Sequence, residues 1–217
     1  MLKEEDKKQI QTRLNGMTNP VKLLFFTQKV AGTCQYCEET ERLLKEVSDL
    51  SDKLELKVLN FITDKDQKEA YGIDKIPVTV TEEEKDYGIR FYGIPTGYEF
   101  ATFLEIILKV SSGESGLPDN LKTQIEGITK PVHIQVFVTP TCPYCTRAAL
   151  TAQQLALESD HIKTDVVEIT EFPHLVQKYG VMGVPKIVIN EKHSFEGALP
   201  ENLFVEHVLN ATNGEGQ

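Results

Sequence analysis

The sequence predicts an α/β protein made of two tandem copies of one unit, each a mixed central sheet flanked by helices. Three observations carry the prediction. First, Cys34-Gln35-Tyr36-Cys37 recurs as Cys142-Pro143-Tyr144-Cys145, and these are all four cysteines in 217 residues. Second, the 108-residue offset between the motifs holds downstream: Val58 matches Val166, Tyr71-Gly72 matches Tyr179-Gly180, and Ile76-Pro77 matches Val184-Pro185. Upstream, Gly16 to Val21 matches Gly127 to Val132 at 111, and Phe91-Tyr92-Gly93 matches Phe195-Glu196-Gly197 at 104, small changes that read as loop indels. Third, both copies show helical and strand periodicity in the same order.

Each unit opens with an amphipathic helix. Ile10, Leu14 and Met17, and in the second copy Leu121, Ile125 and Ile128, recur at i, i+4, i+7. A Pro-Val step then leads into a strand rich in β-branched, aromatic or leucine residues, Lys22 to Thr27 and His133 to Thr139. The CxxC follows at the start of a helix, with apolar stripes at Leu43, Leu44, Val47 and Leu50, and at Leu150, Leu155 and Leu157. Next come a strand (54–61; 163–169) and a short helix ending near Tyr71 or Tyr179. A hairpin follows (78–81 with 89–92; 186–189 with 194–195), then a closing helix (98–110; 201–210). The small, polar, glycine-rich stretch Ser111 to Gly116 reads as the linker, so the domains are expected at 1–112 and 117–217 with 111–116 between them.

Formal charge is −10, and no basic stripe marks a nucleic-acid footprint. No apolar run approaches the ~20 residues that span a bilayer, and Met1 to Lys8 lacks the apolar core of a secretory signal. A soluble, cytoplasmic protein is expected, with no nucleic acid and no membrane among its partners. Cytosolic thiols are kept reduced, so two CxxC pairs point to catalysis or metal binding rather than to structural bridges.

A spacing of i, i+3 on a helical turn puts two cysteines on one face, within the Cα separation of about 5.5–6 Å that a disulfide prefers. Unpaired N–H groups and the macrodipole at a helix N-terminus favour a thiolate. Cys34 and Cys142 are therefore read as attacking thiols, and Cys37 and Cys145 as resolving ones, working through a mixed disulfide. Glu38, Glu39, Lys29 and Arg147 flank the motifs; plain solvated helix-end charge is the simpler reading of them. The approach to Cys142 is compact, Thr139-Pro140-Thr141, whereas unit one inserts four residues between Thr27 and Cys34. The second site is therefore expected to be the more accessible and to do most of the work.

The order strand, CxxC helix, strand, helix, hairpin, helix resembles the thioredoxin fold. With the two CxxC motifs, the Ile-Pro and Val-Pro pairs, the leading helices and the duplication, the whole chain resembles the two-unit protein disulfide oxidoreductases, or glutaredoxin-like proteins, of archaea and some thermophilic bacteria. The N-terminal part of bacterial alkyl hydroperoxide reductase flavoproteins is similarly built. The resemblance implies two tandem thioredoxin-like domains and a thiol–disulfide oxidoreductase acting on protein disulfides. It implies that Ile76-Pro77 and Val184-Pro185 are cis, face the CxxC and bind substrate backbone as in β-augmentation. It implies no cofactor beyond the cysteines, and a thioredoxin reductase-like flavoprotein or glutathione as electron donor. Two departures stand out. Many thioredoxin-like reductases carry a buried acid six residues before the first cysteine, where Gln28 and Val136 stand here. The Gly-Gly-Asp of a glutathione pocket is replaced by Phe195-Glu196-Gly197-Ala198. Two rival readings remain. A structural Cys₄ zinc site is one, although its pairs are usually 15–20 residues apart. A redox-inactive peptide binder is the other. The five histidines show no metal spacing and read as structural or surface residues.

Overall fold

The structure, a computed structural model, describes residues 2–28 and 34–213. Unit one contains α1 (Glu4–Leu14), β1 (Val21–Thr27), α2 (Cys37–Ser48), β2 (Leu54–Asn60), α3 (Lys65–Ala70), β3 (Val78–Glu82), β4 (Asp86–Tyr92) and α4 (Tyr98–Ser112). Unit two repeats the order as α5 (Asp119–Glu126), β5 (Val132–Val138), α6 (Cys145–Glu158), β6 (Ile162–Glu168), α7 (Pro173–Tyr179), β7 (Lys186–Ile189), β8 (His193–Glu196) and α8 (Glu201–Asn213). In each unit a parallel pair (β1 with β2, β5 with β6) meets an antiparallel hairpin (β3–β4, β7–β8).

The two sheets are one. Strand order runs β2-β1-β3-β4-β6-β5-β7-β8, and the joint is a parallel pairing of β4 with β6, from Ile89 opposite Thr164 to Tyr92 opposite Val167. Tracing direction through the pairings, β1, β4, β6 and β5 all run the same way. Both CxxC motifs follow strands ending at the same edge of the sheet. Four strand spacings separate β1 from β5, so the two sites stand roughly 19 Å apart along that edge, at about 4.8 Å per strand.

The period-2 pattern of the central strands feeds two cores. On β1, Val21, Leu23 and Phe25 face one cluster, while Leu24 and Phe26 face the other. On β5, Val132, Ile134, Val136 and Val138 face the first and Phe137 the second. The first cluster holds the buried faces of α1, α2, α4, α5, α6 and α8, so both CxxC helices lie on one side of the sheet. It runs across both units without a break. A buried side chain of this kind contributes about 1.5–3 kcal/mol each, so the shared core is a large part of what holds the units together.

Several sequence expectations move at their edges. Both cysteine helices begin at the second cysteine, not the first; Tyr36 and Tyr144 occupy the N-cap positions. Met17, Ile128 and Leu50 are packed beyond the ends of the helices whose stripes they extend. The stripe of α6 is built mainly from Ala148, Ala149, Ala152 and Ala156 beside Leu155, which lets α4 pack close against it. The stretch 111–116 is ordered by packing. Gly113 caps α4 in the left-handed region at φ 70°, and Ser115 is fully buried, its hydroxyl donating to Glu158 and its carbonyl accepting from Gln154 Nε2 at 2.6 Å. Among the described residues no helix is long and apolar enough to cross a membrane.

Candidate active sites

Site two forms where β5 ends. A tight turn follows, in which the Cys142 amide donates to Thr139 O at 3.2 Å. Cys142 and Cys145 are disulfide-bonded, with Cα atoms 5.4 Å apart. The first amide of α6, that of Cys145, donates to Cys142 Sγ at 3.1 Å. A helix-end N–H aimed at sulfur is the local device that favours a thiolate once the bond is reduced. Cys142 keeps 9% of its surface and Cys145 none. No acidic residue stands in the first turn of α6, and Arg147 there is exposed.

The Val184–Pro185 peptide bond is cis, and Val184 O lies 3.8 Å from Cys142 Sγ. The β5–β7 register, with Lys186 opposite Phe137, sets Pro185 beside the last residue of β5. The Gly197 amide donates to Pro185 O at 2.8 Å and fixes the proline from behind. Val184 is half-buried and Pro185 buried, so the proline ring does not face solvent.

Site one repeats the plan. Cys34 and Cys37 are disulfide-bonded with Cα atoms 5.5 Å apart. Cys37 is buried and Cys34 half-buried. Ile76–Pro77 is cis, Val78 is opposite Phe26, and the Gly93 amide donates to Pro77 O at 2.9 Å. Here the first turn of the helix carries Glu38 and Glu39, both exposed, which oppose a negative sulfur. Lys29 and most of the inserted approach loop lie outside the described residues.

The sequence reading missed two carboxyls. Gln28 and Val136 offer no acid, but Glu99 does, from the first turn of α4. It is 1% exposed, both its oxygens lack a hydrogen-bond partner among the described residues, and burial pushes its carboxyl up to about 7. Its neighbour Tyr98 donates its amide to Pro140 O at 2.9 Å, which ties the head of α4 to the loop entering site two. The signal was present: Glu99 stands at i on the stripe that continues through Phe103, Ile106 and Val110. Glu171, in the turn between β6 and α7, is likewise raised to about 7, chiefly by burial, and accepts the Ile94 amide at 2.6 Å. Ile94 adjoins Gly93, whose amide supports Pro77, so Glu171 reaches from unit two toward site one. Among the described residues no group of three or more His, Cys, Asp or Glu side chains is arranged to hold a metal ion. His133 instead pairs with buried Asp165 at 2.7 Å, and His193 with His207 at 2.8 Å.

A continuous sheet carrying two CxxC disulfides, each beside a cis proline, defines a thiol–disulfide oxidoreductase of thioredoxin type. Comparison with known proteins agrees. The thioredoxin domain family matches residues 132–210. Thioredoxin of Methanocaldococcus jannaschii is 35% identical over 78 residues, covering 36% of this chain and 92% of that protein. The crystal structure of a protein disulfide oxidoreductase from Aeropyrum pernix K1 superposes with a TM-score of 0.92 at 33% identity, covering 99% of this chain and 95% of that one. The N-terminal N/C domain of alkyl hydroperoxide reductase AhpF from Enterococcus faecalis gives 0.88 at 26% identity, covering 96% and 100%. The corresponding alkyl hydroperoxide reductase component of Escherichia coli K12 is 25% identical over 199 residues; these cover 92% of this chain but 36% of that protein's length. The chain belongs to the two-unit protein disulfide oxidoreductases built from tandem thioredoxin folds.

Proposed function

We propose that the protein reduces, forms or isomerises disulfides of other proteins at two exchange centres, one in each of the units 1–112 and 117–217 joined by 111–116. In the reducing direction, the Cys142 or Cys34 thiolate attacks a substrate disulfide. One substrate sulfur leaves as a thiolate and a mixed disulfide forms. Cys145 or Cys37, deprotonated, then attacks the enzyme sulfur of that bond, so the second substrate thiol leaves and the internal disulfide closes. Two electrons pass from dithiol to substrate. Oxidation runs the same steps backwards.

The observation that carries this reading is the Cys145 amide on Cys142 Sγ, with Val184 O 3.8 Å from the same sulfur. It gives one sulfur of the pair a stabilised charge and a neighbouring backbone edge for an extended substrate. The backbone of Ile76-Pro77 and Val184-Pro185 would pair with that substrate chain. Glu99 is the proton acceptor we assign to the Cys145 thiol, because it is unpaired among the described residues, titrates near neutrality and heads the helix packed on α6. Four strand spacings keep the two sites from exchanging directly, since a disulfide needs sulfurs at about 2 Å. Each site would then be recharged separately, by a thioredoxin reductase-like flavoprotein or glutathione, with no cofactor beyond the cysteines and in a cytoplasmic setting.

The test is alkylation of the reduced protein at mildly acidic pH, with the labelled positions read by mass spectrometry. Cys34 and Cys142 should react well before Cys37 and Cys145, because thiolate fraction and access control the rate. Faster labelling of the second cysteine in either motif overturns the assignment for that unit.

A further inference from the structure

Two large apolar side chains that stand close in the chain to the contacting groups of site two are exposed. Met182 is 92% exposed, and Tyr144, between the two cysteines, is 72% exposed. Met182 is two residues from Val184, whose carbonyl lies 3.8 Å from Cys142 Sγ. Two residues of chain span at most about 7 Å, so the Met182 backbone lies within that distance of the residue that touches the sulfur. Scattered exposed apolar residues are ordinary; two that stand close in the chain to the groups contacting one reacting atom are a different case.

The matching positions of site one are chemically opposite. Asp74 stands where Met182 stands, two residues before Ile76. It is exposed, and its carboxylate accepts from Lys75 at 2.8 Å. Lys75 in turn sits 3.8 Å over the Tyr92 ring, which leaves the carboxylate outermost. Tyr36, the counterpart of Tyr144, is half-buried against the core. With Glu38 and Glu39 on α2, the described residues around site one add acidic groups beside Asp74.

We propose that the two sites sort substrates by the residues flanking the substrate cysteine: site two takes apolar flanks through Met182 and Tyr144, and site one takes basic flanks through Asp74 and the acids of α2. The proposal rests on the exchange chemistry above and adds its substrate classes. What covers Met182 follows from the reaction. A polypeptide whose sulfur meets Cys142 runs along the Val184 backbone, and its neighbouring side chains fall on this rim. Methionine suits varied apolar partners because it is unbranched, polarizable and adaptable. Tyrosine adds a flat apolar face without losing its contact with water.

The test uses two versions of the full chain, one with Cys34→Ser and Cys37→Ser, the other with Cys142→Ser and Cys145→Ser. Each is pre-reduced and mixed with single-cysteine peptides carried as mixed disulfides with 2-nitro-5-thiobenzoate. One peptide has leucines beside the cysteine, the other lysines. Enzyme thiolate attacks the peptide sulfur, coloured thiobenzoate leaves, and the resolving thiol frees the reduced peptide. The leucine-to-lysine rate ratio should exceed that of site one by about tenfold at site two, the effect of part-burying one such side chain. Met182→Asp should erase most of that excess, and Asp74→Met should raise the ratio at site one. Equal ratios at the two sites, or ratios unmoved by both substitutions, would overturn the sorting. Failure of both sites to react with either peptide would instead remove the exchange chemistry, and the sorting with it.

Discussion

Glu99 shows how a single buried carboxyl links stability to catalysis. Its ordinary value is 4.5 and burial pushes it to about 7. Between those values the folded chain holds a proton that the unfolded chain has lost. Stability therefore falls as pH rises through that window and is level above it, by roughly 3 kcal/mol at most at 1.36 kcal/mol per unit. Glu171 titrates over the same window with the same sign. Denaturant melts of Glu99→Gln should show about half the loss of stability between pH 4.5 and 7 that the parent shows, and a variant that keeps the full slope would contradict this account. The same substitution should remove the rise of site-two exchange rate through neutral pH, because the proton acceptor is gone. The cysteine pairs were legible from local spacing and the two prolines from the repeat, while the cis state of the prolines was implied only by the resemblance. Glu99 was not recognised, because its position relative to site two depends on how α4 of one unit docks on Pro140 of the other.

At the scale of elements, that docking is close. Gly97, at φ +61°, approaches Pro140 so nearly that an added Cβ would overlap the Pro140 carbonyl oxygen. Pro140 is two residues ahead of Cys142. Gly97→Ala should therefore destabilise the fold by several kcal/mol or shift the site-two loop, slowing exchange there more than at site one. Gly113→Ala is the control: it has φ +70° and nothing within 4 Å, so only the backbone penalty of about 1 kcal/mol applies. Equal effects of the two substitutions on site two would show that the α4 contact does not hold the loop. The two cysteine helices also differ. Acidic residues open α2 and none opens α6. Charges at a helix end act at about 0.3–1 kcal/mol each, so this difference favours the Cys142 thiolate over that of Cys34. The expected ranking of the sites therefore rests on charge and not on access, because Cys34 is half-buried while Cys142 keeps only 9% of its surface, against the expectation drawn from the compact approach loop.

Across the whole molecule, the β4–β6 joint decides behaviour. Sequence periodicity located both strands but not their pairing, since Arg90 and Asp165 mark them as polar-faced. In the fold, Arg90 is buried in a bidentate pair with Asp86, at 2.7 and 2.6 Å, and Asp165 is held by His133. Most of each charge is met within its own unit, although Arg90 Nε and Asp165 Oδ1 are left without a hydrogen-bond partner among the described residues. Of the stretch read as a linker, Ser111 and Ser112 are the last residues of α4, and Ser115 packs on α6 through Glu158 and Gln154. With one sheet and two core clusters that each run through both units, calorimetry should give a single unfolding transition. Two resolved transitions would mean that the seam contributes little.

One assay bears most directly on the central claim, that both dithiols exchange with protein disulfides. Dithiothreitol-driven reduction of insulin is measured for the parent chain, Cys34→Ser, Cys142→Ser and the double variant. The account predicts clear turnover by the parent, a larger loss from Cys142→Ser than from Cys34→Ser, and no turnover above the uncatalysed rate in the double variant. Turnover that survives in the double variant, or a parent chain no faster than dithiothreitol alone, would contradict it.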